Sequence, residues 1–295
     1  MDKLIEEFRS LNKTLSRLAD SLLPAPDTAV FDAFKAFRVF SRNDILLIRG
    51  IKDPDPVGFR ELKGIDEVIT GLRNNTEQFI AGLSCNNVLL YGPRGTGKSS
   101  AVKAVFNEYR GKGLRMIEMQ RDGLVHILEV ADMMRGRKEK FIVYCDDLSF
   151  EQDENSYRGI KTVLEGGLEI RPDNMLVYAT SNRRHLMPEK TADNLPVLEE
   201  GELHPGETLE EKLSLSDRFG LRFGVPHFDM DIYLEIIYNY ASLKKVRLPR
   251  EELKKQSLQW SISHGSFSGR TARQFIDDLV GKAGRKKSPA SRKPK

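Results

Sequence analysis

The chain has 295 residues, of which 39% are hydrophobic and 31% charged, and it carries a net charge of +4. This balance is typical of a globular protein with a sizeable core, and it excludes a disordered chain, a collagen and a disulfide scaffold. No apolar stretch approaches the roughly 18 residues that cross a bilayer. The acidic start also lacks the basic and apolar run of a signal peptide, so we expect a cytoplasmic protein with no membrane partner.

The charge is unevenly distributed along the chain. Seven basic residues and no acid lie between residues 281 and 295, which leaves 40 basic and 43 acidic residues elsewhere, a charge of −3. We therefore predict a near-neutral body with a disordered basic tail at residues 283–295. The tail either contacts nucleic acid or an acidic partner, or it only aids solubility. Cys85 and Cys145 are expected to be reduced, buried thiols, and the five histidines show no metal-ligand spacing.

Residues 1–58 are predicted to be a helical N-terminal extension. Apolar residues spaced four and three apart indicate one amphipathic helix over the first 22 residues. A second helix is predicted after Asp27, where phenylalanines at positions 31, 34, 37 and 40 lie three apart, and the apolar run 45–48 follows. These helices either bind a partner or a second copy, or they cover the main domain.

Residues 59–226 alternate between helices and apolar strands, which predicts an α/β domain with a parallel five-stranded sheet between helices. The expected strands are 88–91, 114–119, 141–145, 175–180 and 221–225, and the expected helices are 66–81, 98–110, 124–134, 157–165 and 208–216. The aperiodic stretch 189–207 is interpreted as an exposed insertion. Residues 227–282 show helical patterns alone, near 230–243, from 249 onward and over 268–280, which predicts a small all-helical C-terminal domain.

The strongest chemical signal is the glycine-rich segment 92–99, which matches G-x-x-x-x-G-K-[ST] at every required position. Its glycines let backbone N–H groups wrap a phosphate, and the N-terminus of the following helix adds partial positive charge. Lys98 can reach the β- and γ-phosphates, and the Ser99 hydroxyl can bind Mg²⁺. The predicted nucleotide-binding residues of this segment are Gly92, Pro93, Arg94, Gly95, Thr96, Gly97, Lys98, Ser99 and Ser100.

Two later strands also end in polar residues. The apolar strand 141–145 is followed by Asp146, where a carboxylate holds Mg²⁺ through water, and by Asp147, where a base orients or deprotonates the attacking water. The strand 175–180 leads to Asn182, which either hydrogen-bonds the γ-phosphate or the water, or caps a turn.

Two arginines lie near predicted helix boundaries. Arg218 closes a helix before the last strand, where it can reach the γ-phosphate of a neighbouring subunit or pair with Asp217. Arg270 opens a helix of the C-terminal domain behind the cap residue Ser268 and is expected to face the nucleotide. Arg273, one turn further, competes for the same role.

This order of motifs resembles the AAA+ ATPases over about residues 59–282. A closer match, to a family of uncharacterised bacterial AAA+ proteins known as predicted ATPases, is carried by segments 81–90, 145–150, 163–167, 171–174 and 180–186. The resemblance implies ATP and Mg²⁺ as cofactors, with residues 92–99 as Walker A. It further implies Asp146 and Asp147 as Walker B, Asn182 as sensor 1, Arg218 as the arginine finger, Arg270 as sensor 2, and Gly64 and Ile65 at the adenine pocket.

One residue departs from the AAA+ pattern. Most members place Glu after the Walker B Asp, whereas Asp147 is shorter by one methylene, so the water must lie closer or another carboxylate must help. Glu151 is the alternative base, and a slow, switch-like ATPase is expected.

The resemblance implies an ATPase that acts as a homo-oligomer, a ring or open assembly, and remodels or loads a protein or nucleic-acid partner. One alternative is a nucleotide-dependent nucleic-acid-binding switch akin to a helicase loader, which the basic tail favours and the near-neutral body disfavours. A small-molecule P-loop kinase is a third hypothesis, but it leaves Arg218 and the helical domain unexplained. The absence of an aromatic-hydrophobic-Gly motif after the second strand weakens a protein-threading role.

Overall fold

The structure, a computed structural model, describes residues 6–7, 28–148, 154–165, 171–182, 197–199, 202–204 and 215–287. The helix predicted over the first 22 residues lies outside these ranges except for Glu6 and Glu7, which are helical. The alternative base Glu151, the chain after residue 287 and most of the predicted insertion also lie outside them.

A seven-stranded sheet forms the centre of the fold. Its strands are β1 Ala36–Arg42, β2 Ile45–Gly50, β3 Val88–Tyr91, β4 Leu114–Met119, β5 Lys140–Cys145, β6 Met175–Ser181 and β9 Leu221–Gly224. Their order across the sheet is β2-β1-β4-β5-β6-β3-β9. All neighbours are parallel except the β1–β2 hairpin. The five predicted strands are confirmed, but the predicted count is wrong because β1 and β2 extend the sheet. Within the predicted insertion, β7 Val197–Glu199 and β8 Glu202–His204 pair as a separate antiparallel hairpin.

The prediction of a second N-terminal helix is wrong beyond residue 33. The chain forms only a short helix, α1 Val30–Ala33, before it enters β1. Phe37 and Val39 pack into one core layer, whereas Ala36 packs into the other. This alternation has a period of two, which is the period of a strand. The segment therefore forms a strand, although the three-residue spacing of the phenylalanines favoured a helix.

A two-residue turn closes the β1–β2 hairpin. Asn43 and Asp44 have φ angles of 54° and 59°, and such left-handed pairs match the twist of two antiparallel strands. The domain boundary at residue 58 stays a prediction, but residues 36–50, on its N-terminal side, belong to the main sheet.

Helices cover both faces of the sheet. They are α2 Asp66–Ile80, α3 Lys98–Tyr109, α4 Ile127–Met134, α5 Glu154–Glu165, α6 Met230–Leu243, α7 Arg250–His264 and α8 Gly269–Lys287. Helices α2 and α3 share one core layer with the C-terminal helices, and α4 and α5 pack in the other. In the part of the chain that the structure describes, no helix is long and apolar enough to span a membrane.

The central strands supply both layers through alternate residues. In β3, for example, Leu90 lies in the layer of α2 and α3 and Leu89 in the layer of α4 and α5. Cys85 and Cys145 are both free thiols; Cys145 is buried and Cys85 is half-buried. Because β3, β5 and β6 are parallel neighbours, their carboxyl ends bring the predicted polar residues to one edge of the sheet.

Candidate functional site

The glycine-rich loop joins β3 to α3, as the motif predicts. Gly92, Gly95 and Gly97 have φ angles of 137°, 79° and 91°, which residues with a Cβ rarely adopt. A Cβ at Gly92 would also lie 2.1 Å from the carbonyl oxygen of Val225, so only glycine fits there. Helix α3 begins at Lys98, directly after the loop, and its unpaired N–H groups make this helix start suitable for an anion.

The ammonium group of Lys98 is folded back onto the loop. Its Nζ donates to the carbonyl oxygens of Gly92 at 2.8 Å and Pro93 at 2.6 Å, and to Oδ1 of Asn182 at 3.3 Å. Burial lowers the pKa of Lys98 below its ordinary value, although nearby carboxylates oppose this shift. A bound phosphate would take over these donors. Gly92 and Pro93 therefore contribute carbonyl oxygens to Lys98 and do not line the cavity.

Asp146 lies at the end of β5 and accepts two hydroxyl hydrogen bonds on the same oxygen. Ser99 Oγ donates to Asp146 Oδ1 at 2.7 Å, and Thr180 Oγ1 donates to it at 2.6 Å. Burial by itself raises the pKa of Asp146, but the hydrogen bonds to the carboxylate outweigh burial and hold the pKa below its ordinary value. The side chain is therefore an anion at neutral pH, next to the hydroxyl of the P-loop serine.

Asp147 lies in a tight turn directly after β5. Its φ angle is 50°, a left-handed conformation that Asp tolerates better than most residues. The turn is held by a hydrogen bond from the Asp147 N–H to Thr180 Oγ1 at 3.0 Å. Asn182 Nδ2 donates to the Asp147 carboxylate. The predicted base and the predicted sensor are thus in direct contact.

These groups open onto a cavity of about 420 Å³ between the sheet edge and the C-terminal helices. Gly269 N donates to Gly95 O at 2.8 Å, which joins the start of α8 to the P-loop and closes one end. The cavity is lined by Glu61, Leu62, Lys63, Ile65, Arg94, Gly95, Thr96, Gly97, Lys98, Ser99, Ser100, Asp146, Asp147, Thr180, Asn182, Phe228, Ile236, Tyr240, Gly269, Arg270 and Arg273.

Both candidate sensor arginines reach this cavity. Arg270 directly follows Gly269. A Cβ built at Gly95 would lie 3.7 Å from the Cβ of Arg270, so Arg270 lies beside the P-loop. Arg273 lies within 3.9 Å of Asp277 on the same helix. This contact lies between two half-exposed side chains, so both arginines stay candidates for the sensor role.

The cavity fits a magnesium nucleotide by the chemistry of its walls. Ser99 and Asp146 offer a hydroxyl and a carboxylate oxygen, the hard ligands that Mg²⁺ takes together with water and phosphate oxygens. Leu62, Ile65 and Tyr240 form an apolar and aromatic wall on the other side, which suits a base. Across the ranges that the structure covers, no group of three or more His, Cys, Asp or Glu side chains is arranged to hold a metal by itself.

Among the described residues, the predicted site residues that do not line this cavity are Gly92, Pro93 and Arg218. Arg218 lies outside its lining and forms an ion pair with Glu165 at the end of α5, whereas its predicted partner Asp217 pairs with Arg222. Glu151 falls outside the described residues, so its role as the alternative base stays a prediction.

Sequence reasoning missed several residues of the site. Thr180 contacts both Asp146 and the turn at Asp147, and its position in a polar strand end was the available signal. Phe228, Ile236 and Tyr240 reach the cavity only because the C-terminal helices pack over it. Ile236 and Tyr240 lie in α6, where no local pattern distinguishes them from ordinary core residues of an amphipathic helix, and Phe228 lies just before that helix.

Comparison with known proteins places the chain in a family. The family model described as "Protein of unknown function (DUF815)" matches residues 32–283. No curated protein gives a match. The RuvB Holliday junction branch migration motor of Thermotoga maritima is similar in structure, with 16% identity, a TM-score of 0.51, and coverage of 78% of this chain and 72% of that chain.

The FIGL-1 AAA domain in complex with ADP is also similar, with 15% identity, a TM-score of 0.53, and coverage of 90% of this chain and 83% of that chain. Identities this low show a shared fold and nothing finer. The predicted fold class is confirmed by these likenesses, by the mostly parallel sheet and by the C-terminal helices. The chain belongs to the DUF815 family and has the α/β fold of AAA+ domains.

Proposed function

We propose that this protein binds and hydrolyses ATP with Mg²⁺, acts as a homo-oligomer, and uses the cycle to remodel or load a macromolecular partner. One observation carries the proposal: the P-loop lysine, the two carboxylates after β5 and the amide after β6 meet at a single cavity. Each of these groups has a role in phosphoryl transfer to water.

The roles follow from the contacts. Lys98 exchanges its bonds to the loop carbonyls for the β- and γ-phosphates, which stabilise the ammonium charge that burial disfavours. Ser99 and Asp146 would hold Mg²⁺, which neutralises phosphate charge when bound. Asp147 orients and deprotonates the attacking water, and Asn182 fixes the Asp147 carboxylate. The short side chain of Asp147 supports a slow turnover.

Arg218 supports an oligomeric mechanism. Its guanidinium is outside the cavity of its own chain and pairs with Glu165 at a partly exposed site. The Arg218 side chain is partly exposed, so we infer that a neighbouring subunit's γ-phosphate replaces Glu165 as its partner in the assembly. Arg218 would then stabilise transition-state charge in the adjacent site.

The test is phosphate release from ATP as a function of protein concentration. We expect activity per subunit to rise with concentration in the wild type and to stay low and flat in Arg218→Ala, with a loss of up to about 10³-fold. Arg222→Ala is the matched control, because Arg222 is an exposed, ion-paired arginine of the same region outside the cavity. Lys98→Ala should abolish tight nucleotide binding.

Concentration-independent activity with a dispensable Arg218 would refute the trans-acting finger and favour a monomeric nucleotide switch. The second candidate function is such a switch that binds nucleic acid, as the basic residues near the C-terminus suggest. Salt-sensitive DNA binding that depends on ATP and survives deletion of residues 288–295 would favour it. DNA binding that disappears with this deletion would restrict nucleic-acid contact to the tail.

A further inference from the structure

Two buried tyrosines stand side by side beneath the candidate site. Tyr144 in β5 and Tyr178 in β6 are register partners, and both side chains point into the core layer of α2 and α3. Tyr144 is 1% exposed and Tyr178 is fully buried. Each precedes a residue of the site by two positions, Asp146 and Thr180, so each lies on the same face of its strand as that residue.

The hydroxyl of Tyr178 is bonded within the core. Asn75 Nδ2 donates to it at 3.0 Å, and it lies 2.8 Å from Thr76 Oγ1. Both partners belong to α2, so this tyrosine ties a helix to the sheet. The hydrogen bonds of its hydroxyl are thus to α2 and not to the candidate site.

The hydroxyl of Tyr144 differs. It is buried, yet within the described part of the chain no group lies at hydrogen-bonding geometry to it. A buried tyrosine hydroxyl usually finds a partner, because leaving it without one forfeits the hydrogen bonds that water would supply. Burial raises the pKa of Tyr144, and the negative charge of Asp146, two residues further along the same strand face, raises this pKa further. Asp146, Ser99 and Thr180 form the predicted metal-binding corner.

Asp146 has a place for one more donor. Ser99 and Thr180 both donate to Oδ1, and Oδ2 accepts no hydrogen bond from the described residues. The ring of Tyr144 also borders a second cavity, of about 160 Å³, next to Phe106 and Met116. Tyr144 is therefore not packed tightly on every side.

We propose that Tyr144 is a positioning residue of the magnesium site: its hydroxyl donates to the Asp146 carboxylate and holds it in the orientation that binds the metal with Ser99. Three donors then fix a carboxylate that two donors on one oxygen leave free to turn. The inference rests on the proposed nucleotide-binding function, and it assigns this role to Tyr144 and excludes Tyr178 from it.

The experiment compares Tyr144→Phe with Tyr178→Phe, two substitutions that remove one hydroxyl from matched positions. The probe is a fluorescent ADP carrying an N-methylanthraniloyl group, titrated in excess EDTA and at increasing Mg²⁺. Urea unfolding of the same proteins measures stability. We expect Tyr144→Phe to raise the Mg²⁺ concentration at half-saturation about tenfold, because groups that orient metal ligands typically affect metal affinity by about 10–100-fold.

Tyr144→Phe should leave ADP affinity in EDTA unchanged and lower the urea midpoint no more than Tyr178→Phe does, since each variant loses the hydrogen bonds of one buried hydroxyl. Tyr178→Phe should lower the urea midpoint and keep the wild-type Mg²⁺ dependence. An unchanged Mg²⁺ midpoint in Tyr144→Phe would overturn the inference, as would an equal loss of ADP affinity with and without Mg²⁺, or a failure to fold. A wild-type protein that binds no ADP under either condition would instead refute the proposed function itself.

Discussion

Thr180→Val is the substitution that most directly tests how the candidate site is held together. Thr180 is 1% exposed, and valine keeps its shape while removing the hydroxyl. That hydroxyl donates to Asp146 Oδ1 at 2.6 Å and accepts from the Asp147 N–H at 3.0 Å. A single group thus supports both the predicted metal ligand and the left-handed turn that carries the predicted base.

The expected loss of stability follows from these two bonds. A hydrogen bond to a charged acceptor contributes about 1.5–3 kcal/mol, and a neutral one about 0.5–1.5 kcal/mol. Asp147 is exposed, so water replaces most of the second bond in the variant. We therefore expect Thr180→Val to lower the free energy of unfolding by about 2 kcal/mol at neutral pH.

The pH dependence of this loss has a definite sign. The pKa of Asp146 lies below its ordinary value, so the ionised carboxylate is favoured in the folded protein. A lowered carboxyl pKa gives stability that is present above the unfolded-state pKa and is lost as the pH falls through the folded-state pKa. The difference in the free energy of unfolding between wild type and Thr180→Val should therefore be constant near neutral pH and become smaller below about pH 4.

The assay is urea unfolding at several pH values, together with Mg²⁺-dependent nucleotide binding at pH 7.5. Thr76→Val is the matched control, because Thr76 is also buried and its hydroxyl bonds to Leu72 O at 2.7 Å and to Tyr178 at 2.8 Å, away from the site. Both variants should be less stable, and only Thr180→Val should lose Mg²⁺-dependent affinity. Wild-type stability in Thr180→Val, or an equal affinity loss in both variants, would refute the reasoning.

Three further predictions follow from the same geometry. Asp147→Asn should keep nucleotide binding and lower phosphate release by about 10²-fold or more, since an amide accepts no proton. Normal phosphate release in Asp147→Asn, with a loss in Glu151→Gln, would show that Glu151 is the base. Gly95→Ala should weaken nucleotide binding in a calorimetric titration. The loop has a φ angle of 79° there, and a Cβ at Gly95 would lie 2.9 Å from the Cβ of Ser268, just before α8. Burial raises the pKa of Cys145 to about 12, so a thiol reagent at pH 8 should modify only Cys85 in the native protein, and two rapidly reacting thiols would contradict the structure.

The sequence by itself determined the parts of this protein that depend on local chemistry. The segment from Gly92 to Ser99 needs glycine at fixed places because its backbone takes left-handed angles, so the motif can be recognised without the fold. Asp146 and Asp147 follow an apolar run that only a buried strand explains. Of the C-terminal helices, α6 and α8 have a clear apolar periodicity, and Asp229 and Gly265 mark the start of α6 and the end of α7.

The tertiary structure alone decided the parts that depend on residues distant in sequence. The hairpin at residues 36–50 joins the sheet because β1 pairs with β4, more than 70 residues further along the chain, and regularly spaced phenylalanines carry no information about that pairing. Thr180 gains its importance from the register of β5 against β6, which brings its hydroxyl to the Asp146 carboxylate. Arg218 forms an ion pair with Glu165 at the end of α5, more than 50 residues away, whereas its neighbour Asp217 pairs with Arg222. Strand pairing and helix packing are sums of many weak, non-local contacts, and a local pattern does not encode them.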